Sequence, residues 1–220
     1  MNQIILYHHL GLGDHFICNG LVNTLSEHYD KIYLPCKSHY FISVNSLYQD
    51  NDKVEVCPIE NESYDVYSLS KSLGIDILNV GFFDFNAKTF DVSFYEGMCL
   101  DFSLRHSNFK YPQLESASDL YNKLVVESEY CLVHDSCSTE KFNLKIDSDL
   151  YKIFIQPDIT NNIMDYVEVI LHAKEVHCVD SSIYQLVDSI NTSAKLYFHN
   201  VRYGGNSITV SDKWEIINYG

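Results

Sequence analysis

The sequence predicts an α/β protein built as two successive parallel-sheet halves, on three observations. Short apolar runs alternate with amphipathic stretches along most of the chain. A glycine-bearing turn joins the first run to the first amphipathic stretch. The alternation then restarts near residue 126, with polar residues recurring where the apolar runs end. The halves are expected at residues 1–125 and 126–220, and 220 residues with 46% apolar side chains suffice to bury a core.

In the first half, Gln3 to His8 reads as a buried strand, Gly11 to Asp14 as a glycine-rich turn, and Phe16 to Tyr29 as a helix with Ile17, Leu21 and Leu25 on one face. Lys31 to Pro35 and Lys53 to Pro58 read as strands flanking a helix that carries Tyr40, Val44 and Leu47. Ser63 to Leu73 reads as a helix and Ile75 to Val80 as a strand. Short sequential strands with helical crossovers pack most economically in parallel. The aromatic-rich stretch from Gly81 to Ser116 has weak periodicity and is broken by Pro112; it is either an acceptor-facing helix and loop or a cover for the sheet. Glu115 to Val126 is expected to link the halves.

In the second half, Glu129 to His134, Tyr151 to Ile155, Glu175 to Val179 and Ala194 to Phe198 read as strands. Asn161 to Ala173 and Ser182 to Ile190 read as helices. From Tyr203 onward the chain is expected to be a tail that packs back, because Trp214, Ile216, Ile217 and Tyr219 are costly to leave exposed together.

Thirty acidic residues against 15 basic ones give a formal charge of -15, which disfavours a nucleic-acid partner. A compact diphosphate is compatible with that charge, because backbone amides at a helix N-terminus bind it without many lysines. The opening MNQIILYHHLGLGD has no basic leader, and no run reaches 18 apolar residues, so a cytoplasmic location without a transmembrane segment is expected. The seven scattered cysteines suit reduced, buried positions. Cys131, His134 and Cys137 form only a loose grouping without a second ligand pair, so no metal and no cofactor is expected.

Two motifs carry candidate chemistry. In H8-H-L-G-L-G-D-H15, the absent side chains of Gly11 and Gly13 permit turn conformations and close approach of a ligand or a neighbouring backbone. The segment lacks the dinucleotide fingerprint and the P-loop ending. Asp14 is either an N-cap of the turn or a general base that accepts the proton of an attacking hydroxyl; in the first case His15 or His9 meets the acceptor or a phosphate. In H177-C-V-D-S-S-I-Y-Q-L-V-D188, a strand ends at Asp180 and a helix opens, with Ser182 and Gln185 at capping-box spacing. Its free amides and the Ser181 and Ser182 hydroxyls suit a diphosphate, while Asp180 orders the turn or binds a sugar or ribose hydroxyl; a purely structural cap is the alternative. His134 and Asp135 end an earlier strand, and His199 and Arg202 the last predicted one. Each pair is a candidate for donor contacts or for ordinary packing and ion pairing.

Taken together, HHLGLGDHFICNGLV and HAKEVHCVDSSIYQLVDS resemble glycosyltransferases of the GT-B fold, in particular the heptosyltransferase-like group of glycosyltransferase family 9, in a shortened form. The resemblance covers both ends and leaves the middle unmatched. It implies two small Rossmann-like halves, an acceptor side and a nucleotide-sugar side, meeting across a gap. It implies a base at Asp14 and a donor-side turn at Asp180, Ser181 and Ser182; His15 beside that base, and Gly11, Gly13, His134, Asp135, His177, His199 and Arg202 as donor contacts, are expected from their places at the glycine turn and the strand ends. The implied reaction is metal-independent transfer of a sugar from a nucleotide-diphosphate donor to a saccharide or other hydroxyl-bearing acceptor. A binding module without catalysis and a sugar-nucleotide epimerase are the competing expectations. D-S-S stands where relatives have a glycine-containing turn, and basic residues near the phosphates are sparse.

Overall fold

The computed structural model describes residues 2–82, 89–127, 129–201 and 208–219, and the chain divides into two units, Met1–Pro112 and Gln113–Gly220. The first holds four parallel strands, β1 (Gln3–Tyr7), β2 (Lys31–Lys37), β3 (Val54–Ile59) and β4 (Ile77–Asn79), in the order β3-β2-β1-β4. Ile5 aligns with Tyr33 on one side and Ile77 on the other, so β1 is the buried centre. Ile5, Tyr7, Leu10, Ile59 and Val66 form a core cluster in which Tyr33, Leu69 and Ile77 also pack.

The expected first helix is α1 (Leu12–Ile17) and α2 (Asn19–Leu25), joined through Cys18, whose backbone is itself right-handed helical. It therefore begins four residues before Phe16, and the supposed glycine turn is largely its first turn. Gly11 has φ −69° and Gly13 lies inside α1, so neither uses a conformation closed to other residues. What Gly11 supplies is space, because a Cβ there would lie 2.8 Å from the Asp14 carboxylate. Helix α3 (Phe41–Tyr48) follows a 3-10 turn at Ser38–Tyr40, and α4 (Glu62–Leu73) ends at Gly74 with φ 68°, the left-handed stop that glycine adopts without strain.

The middle contributes fully buried side chains, among them Asp91, Phe94, Tyr95 and Arg105. Helices α5 (Phe90–Glu96) and α6 (Leu104–Ser107) are too short to show a period, and long-range polar contacts hold them. Arg105 and Asp91 are both fully buried and pair at 3.1 Å. Tyr95 donates its hydroxyl to the Ile17 carbonyl at 2.7 Å. Gly20 lets α2 approach α6 so closely that a Cβ would sit 2.0 Å from the Leu104 carbonyl oxygen. Residues 83–88 of this stretch lie outside the described residues.

The second unit holds five parallel strands, β5 (Tyr130–His134), β6 (Tyr151–Phe154), β7 (Glu175–Cys178), β8 (Lys195–Asn200) and β9 (Trp214–Asn218), in the order β6-β5-β7-β8-β9. Helix α7 (Glu115–Leu124), the expected link between the halves, packs within this unit, where Ser116 donates to Asp165 at 2.7 Å. The helix expected at Asn161–Ala173 is a 3-10 turn, Ile163–Tyr166, running into α8 (Val167–His172), because the Asn162 side chain caps the Met164 amide. Helix α9 spans Ser182–Ser189.

The expected tail is instead a strand, β9, paired with β8 from Leu196↔Trp214 to Asn200↔Asn218. Its anchor is Asp188, fully buried at the end of α9, which accepts from Trp214 Nε1 at 2.9 Å and from Ser211 at 2.7 Å. Among the described residues, no helix is long and apolar enough to cross a membrane. In each sheet the strand order reverses beside the first strand, between β1 and β4 and between β5 and β7. The carboxyl ends of strands at such a reversal form the usual ligand crevice of open parallel sheets.

Candidate functional site

Each reversal point carries one of the sequence motifs. Beyond β1 in the first unit, Gly11 is the N-cap of α1 and Asp14 its third residue. Asp14 Oδ2 accepts the Gly11 amide at 3.0 Å, closing the carboxylate half of a capping box. Asp14 is thus not the N-cap itself, and it remains partly exposed. His15 turns the other way, fully buried, with its ring edge-on to that of His8 at 4.5 Å. Burial lowers His8 to about 4 and pushes His15 well below its ordinary value, with His8's charge as the second cause. Both are neutral imidazoles under the turn. His9 Nε2–H donates to the Gly81 carbonyl oxygen, 3.0 Å away, with Phe82 and Phe94 against its ring. Gly81 has φ 80°, and a Cβ on it would strike Phe94 at 2.2 Å.

The sequence reading passed over Lys37, at the carboxyl end of β2. It pairs with Glu62 at 2.7 Å, and its amine is held above the ordinary lysine value, first by that hydrogen bond and, as a smaller contribution, by the charge of Asp14. The signal was present in sequence, since a lysine ending a parallel strand sits on the ligand rim, but the strand was read two residues short. A cavity of about 500 Å³ in this unit lies elsewhere, lined by residues including Asn23, Tyr48, Asn51 and Lys110, and does not include the Gly11–Asp14 turn.

In the second unit, β7 ends at Cys178, and Ser181, not Ser182, is the N-cap of α9. The Ser181 hydroxyl oxygen accepts the Tyr184 amide at 3.3 Å, and it lies 3.0 Å from His134 Nδ1 at the end of β5. Burial lowers His134 to about 4, so this partner too is neutral. With Ser181 engaged in the cap, the partly exposed Ser182 hydroxyl and the first amides of α9, which have no intrahelical acceptor, are what this mouth offers an anion. Asp180 is buried beside them, and Asp135 is paired with Lys141 at 3.4 Å.

The structure brings His134, Asp180, Ser181 and Ser182 to one rim, and draws His177 and His199 away from it. His177 Nδ1 meets His199 Nε2 at 2.8 Å, and His199 Nδ1 meets the Tyr219 hydroxyl at 2.7 Å, in a row across β7, β8 and the end of β9. Arg202 lies outside the described residues. All seven cysteines are free. Cys131 does not join His134 and Cys137; it stands with Glu175 and His177, their ligand atoms within 4.8 Å of one another.

No family model matches the chain, and no curated protein does. Solved structures do match, over 99% of this chain. A family 9 glycosyl transferase from Veillonella parvula DSM 2008 superposes with TM-score 0.62 at 7% identity over 87% of its own chain. The E. coli ADP-heptose lps heptosyltransferase II gives 0.61 at 12% identity over 90%. The iron-containing dodecameric glycosyltransferase TibC from enterotoxigenic E. coli H10407 gives 0.56 at 12% identity over 63%. Identities this low speak for the fold alone. The chain has the two-sheet, GT-B-like α/β fold of heptosyltransferase-type glycosyltransferases, as the residues at its two ends led one to expect.

Proposed function

We propose that the protein transfers a sugar from a nucleotide-diphosphate donor to a hydroxyl-bearing acceptor, with Asp14 as the base and the α9 mouth as the diphosphate site. The observation that carries this reading is the match to glycosyltransferase structures along the whole chain, combined with the occurrence of both motifs at the reversal points of their sheets. In this reading one carboxylate oxygen of Asp14 takes the Gly11 amide, which fixes the group's direction at the rim. The carboxylate accepts the acceptor's hydroxyl proton as that oxygen bonds to the anomeric carbon. The bond from that carbon to the diphosphate breaks, and its electron pair leaves with the nucleoside diphosphate.

The leaving group gains negative charge, which the amides of Ser182 and Ile183 and the Ser182 hydroxyl offset without a metal in the reacting centre. His134 acts through Ser181, holding the cap that sets the direction of these amides. Asp180 serves the turn or a sugar hydroxyl, since direct contact with phosphate is repulsive. Lys37 joins the acceptor rim as a cation near the base.

A calorimetric screen of nucleotide sugars, followed by turnover of the best binder with a saccharide panel, tests this reading. It predicts acceptor-dependent release of nucleoside diphosphate. Binding without release across the panel would move the assignment to a donor-binding module, and a rearranged donor with no acceptor product would move it to an epimerase.

A further inference from the structure

The face of the second sheet carrying Cys131, Glu175 and His177 holds a group of side chains that the transfer chemistry leaves unused. Cys131 and Glu175 are register partners on β5 and β7, and His177 follows Glu175 by two residues, so all three project from the same face. Cys131 and Glu175 lie toward the amino ends of their strands, away from the sugar-nucleotide rim. His177 is 4% exposed; its Nε2 is buried without a hydrogen-bond partner and faces Glu175 Oε2 at 3.8 Å, which is buried and unpartnered as well. Two unsatisfied polar atoms side by side in a protein interior are costly, and such orphans call for an explanation.

We propose that Cys131, Glu175 and His177 bind one divalent transition-metal ion of the zinc type, which clamps β5 to β7. A thiolate, a carboxylate and an imidazole are a borderline-soft set suited to zinc. Tetrahedral bonds of 2.0–2.3 Å place ligand atoms about 3.5 Å apart, and the 3.8 Å between Nε2 and Oε2 is close to that, with the cluster spanning 4.8 Å before any closure. On binding, the Cys131 thiol releases its proton to solvent and the sulfur forms the metal bond. Burial otherwise raises that thiol to about 12, and the positive charge of Lys152, Cys131's register partner on β6, acts in the opposite direction. Lys152 itself is tied to the Ser148 carbonyl at 2.6 Å.

The surroundings also orient the imidazole. Its ring stacks on Tyr197 at 4.5 Å and 15°, and its Nδ1 is fixed by His199, which is in turn fixed by Tyr219. When His177 Nδ1–H donates to His199 Nε2 and His199 Nδ1–H donates to the Tyr219 oxygen, Nε2 of His177 is left with its lone pair toward Cys131 and Glu175. Metal-binding histidines use the same arrangement, in which the second ring nitrogen is engaged behind the metal. The fourth position is left to water.

Cobalt(II) titration of the metal-free full-length protein tests the site, independently of any transferase assay. One equivalent should bind with a thiolate-to-cobalt charge-transfer band, zinc(II) should displace it, and either metal should raise Tm. The band should vanish in Cys131→Ser and persist when Cys57, Cys99 and Cys137, the more accessible thiols, are all replaced by serine. His199→Phe should weaken cobalt binding about 10–100-fold while keeping the band at saturation. If Cys131→Ser does not fold, the wild-type titration still decides. No stoichiometric band in the wild type, or a band that survives Cys131→Ser or is lost in the triple variant, would overturn the proposal.

Discussion

The two rims are built alike and capped differently. Each follows the first or third strand of a parallel sheet at the point where strand order reverses, each opens a helix, and each has a neutral histidine beside it, the buried His8 in one unit and the half-buried His134 in the other. At the first rim a carboxylate occupies the helix mouth, so Asp14 itself satisfies the Gly11 amide that an anion would otherwise seek. At the second rim the cap is a neutral serine, and the leading amides stay available. One architecture thus covers the leading amide with a carboxylate in one half and leaves the leading amides open in the other; under the proposed function these become the proton acceptor and the anion receptor.

The comparison is most exposed at Asp14. Asp14→Asn retains an oxygen for the Gly11 amide but cannot take a proton at neutral pH, so turnover should fall about 10²–10⁴-fold with donor affinity unchanged, measured as nucleoside diphosphate release beside calorimetry. The units also differ in how their helices are anchored: the first uses a buried ion pair, and the second uses Asp188 bonded to Trp214 and Ser211. Asp91→Ala removes the carboxylate that pairs with buried, charged Arg105 and should cost about 3–5 kcal/mol in denaturant unfolding.

The histidines beneath both rims make stability pH-dependent with a definite sign. His8 titrates near 4 in the fold and near 6.5 in the unfolded chain, so the unfolded state binds more protons between those values. Its stabilising contribution is complete above about pH 6.5 and is lost as pH falls through about 4, and it amounts to about 3 kcal/mol on the order-of-magnitude scale. Thermal unfolding followed from pH 7 to pH 4 should show the decline, with His8→Phe flattening it.

Asp180 stands at the second rim outside the cap, so a carboxylate on the first turn of α9 itself would erase the difference in capping between the two. Ser182→Asp should preserve α9, since acids suit a helix start, yet weaken nucleotide-sugar binding on the order of 10–100-fold by like-charge repulsion. The smallest effect is expected from Ser181→Ala, which removes the cap of Tyr184 and the partner of His134; about 1 kcal/mol of stability should be lost in chemical denaturation.

Strands β1 to β8 were legible because buried parallel strands are short apolar runs bounded by polar residues, and the positions of the two motifs followed from strand ends. Strand β9 was not legible: its pairing with β8 depends on Asp188, a residue 26 positions before Trp214, and no local pattern announces such a bond. The order of Ser181 and Ser182 at the helix mouth was misread because both can cap, and only the backbone decides; Ser181 is extended at φ −166° and Ser182 already helical. His15 was read as facing the ligand, but the helix begins at Leu12, which turns that side chain to the core. The group at Cys131, Glu175 and His177 joins strands more than 40 residues apart, so spacing within the sequence shows only the loose grouping of Cys131, His134 and Cys137, from which no metal is expected.

The central claim, a carboxylate that moves the proton on one rim and an amide mouth that holds the diphosphate on the other, is tested most directly by measuring turnover and donor affinity together in Asp14→Asn. The account predicts wild-type affinity for the best-bound nucleotide sugar with product release reduced at least a hundredfold. Release at the wild-type rate would contradict it.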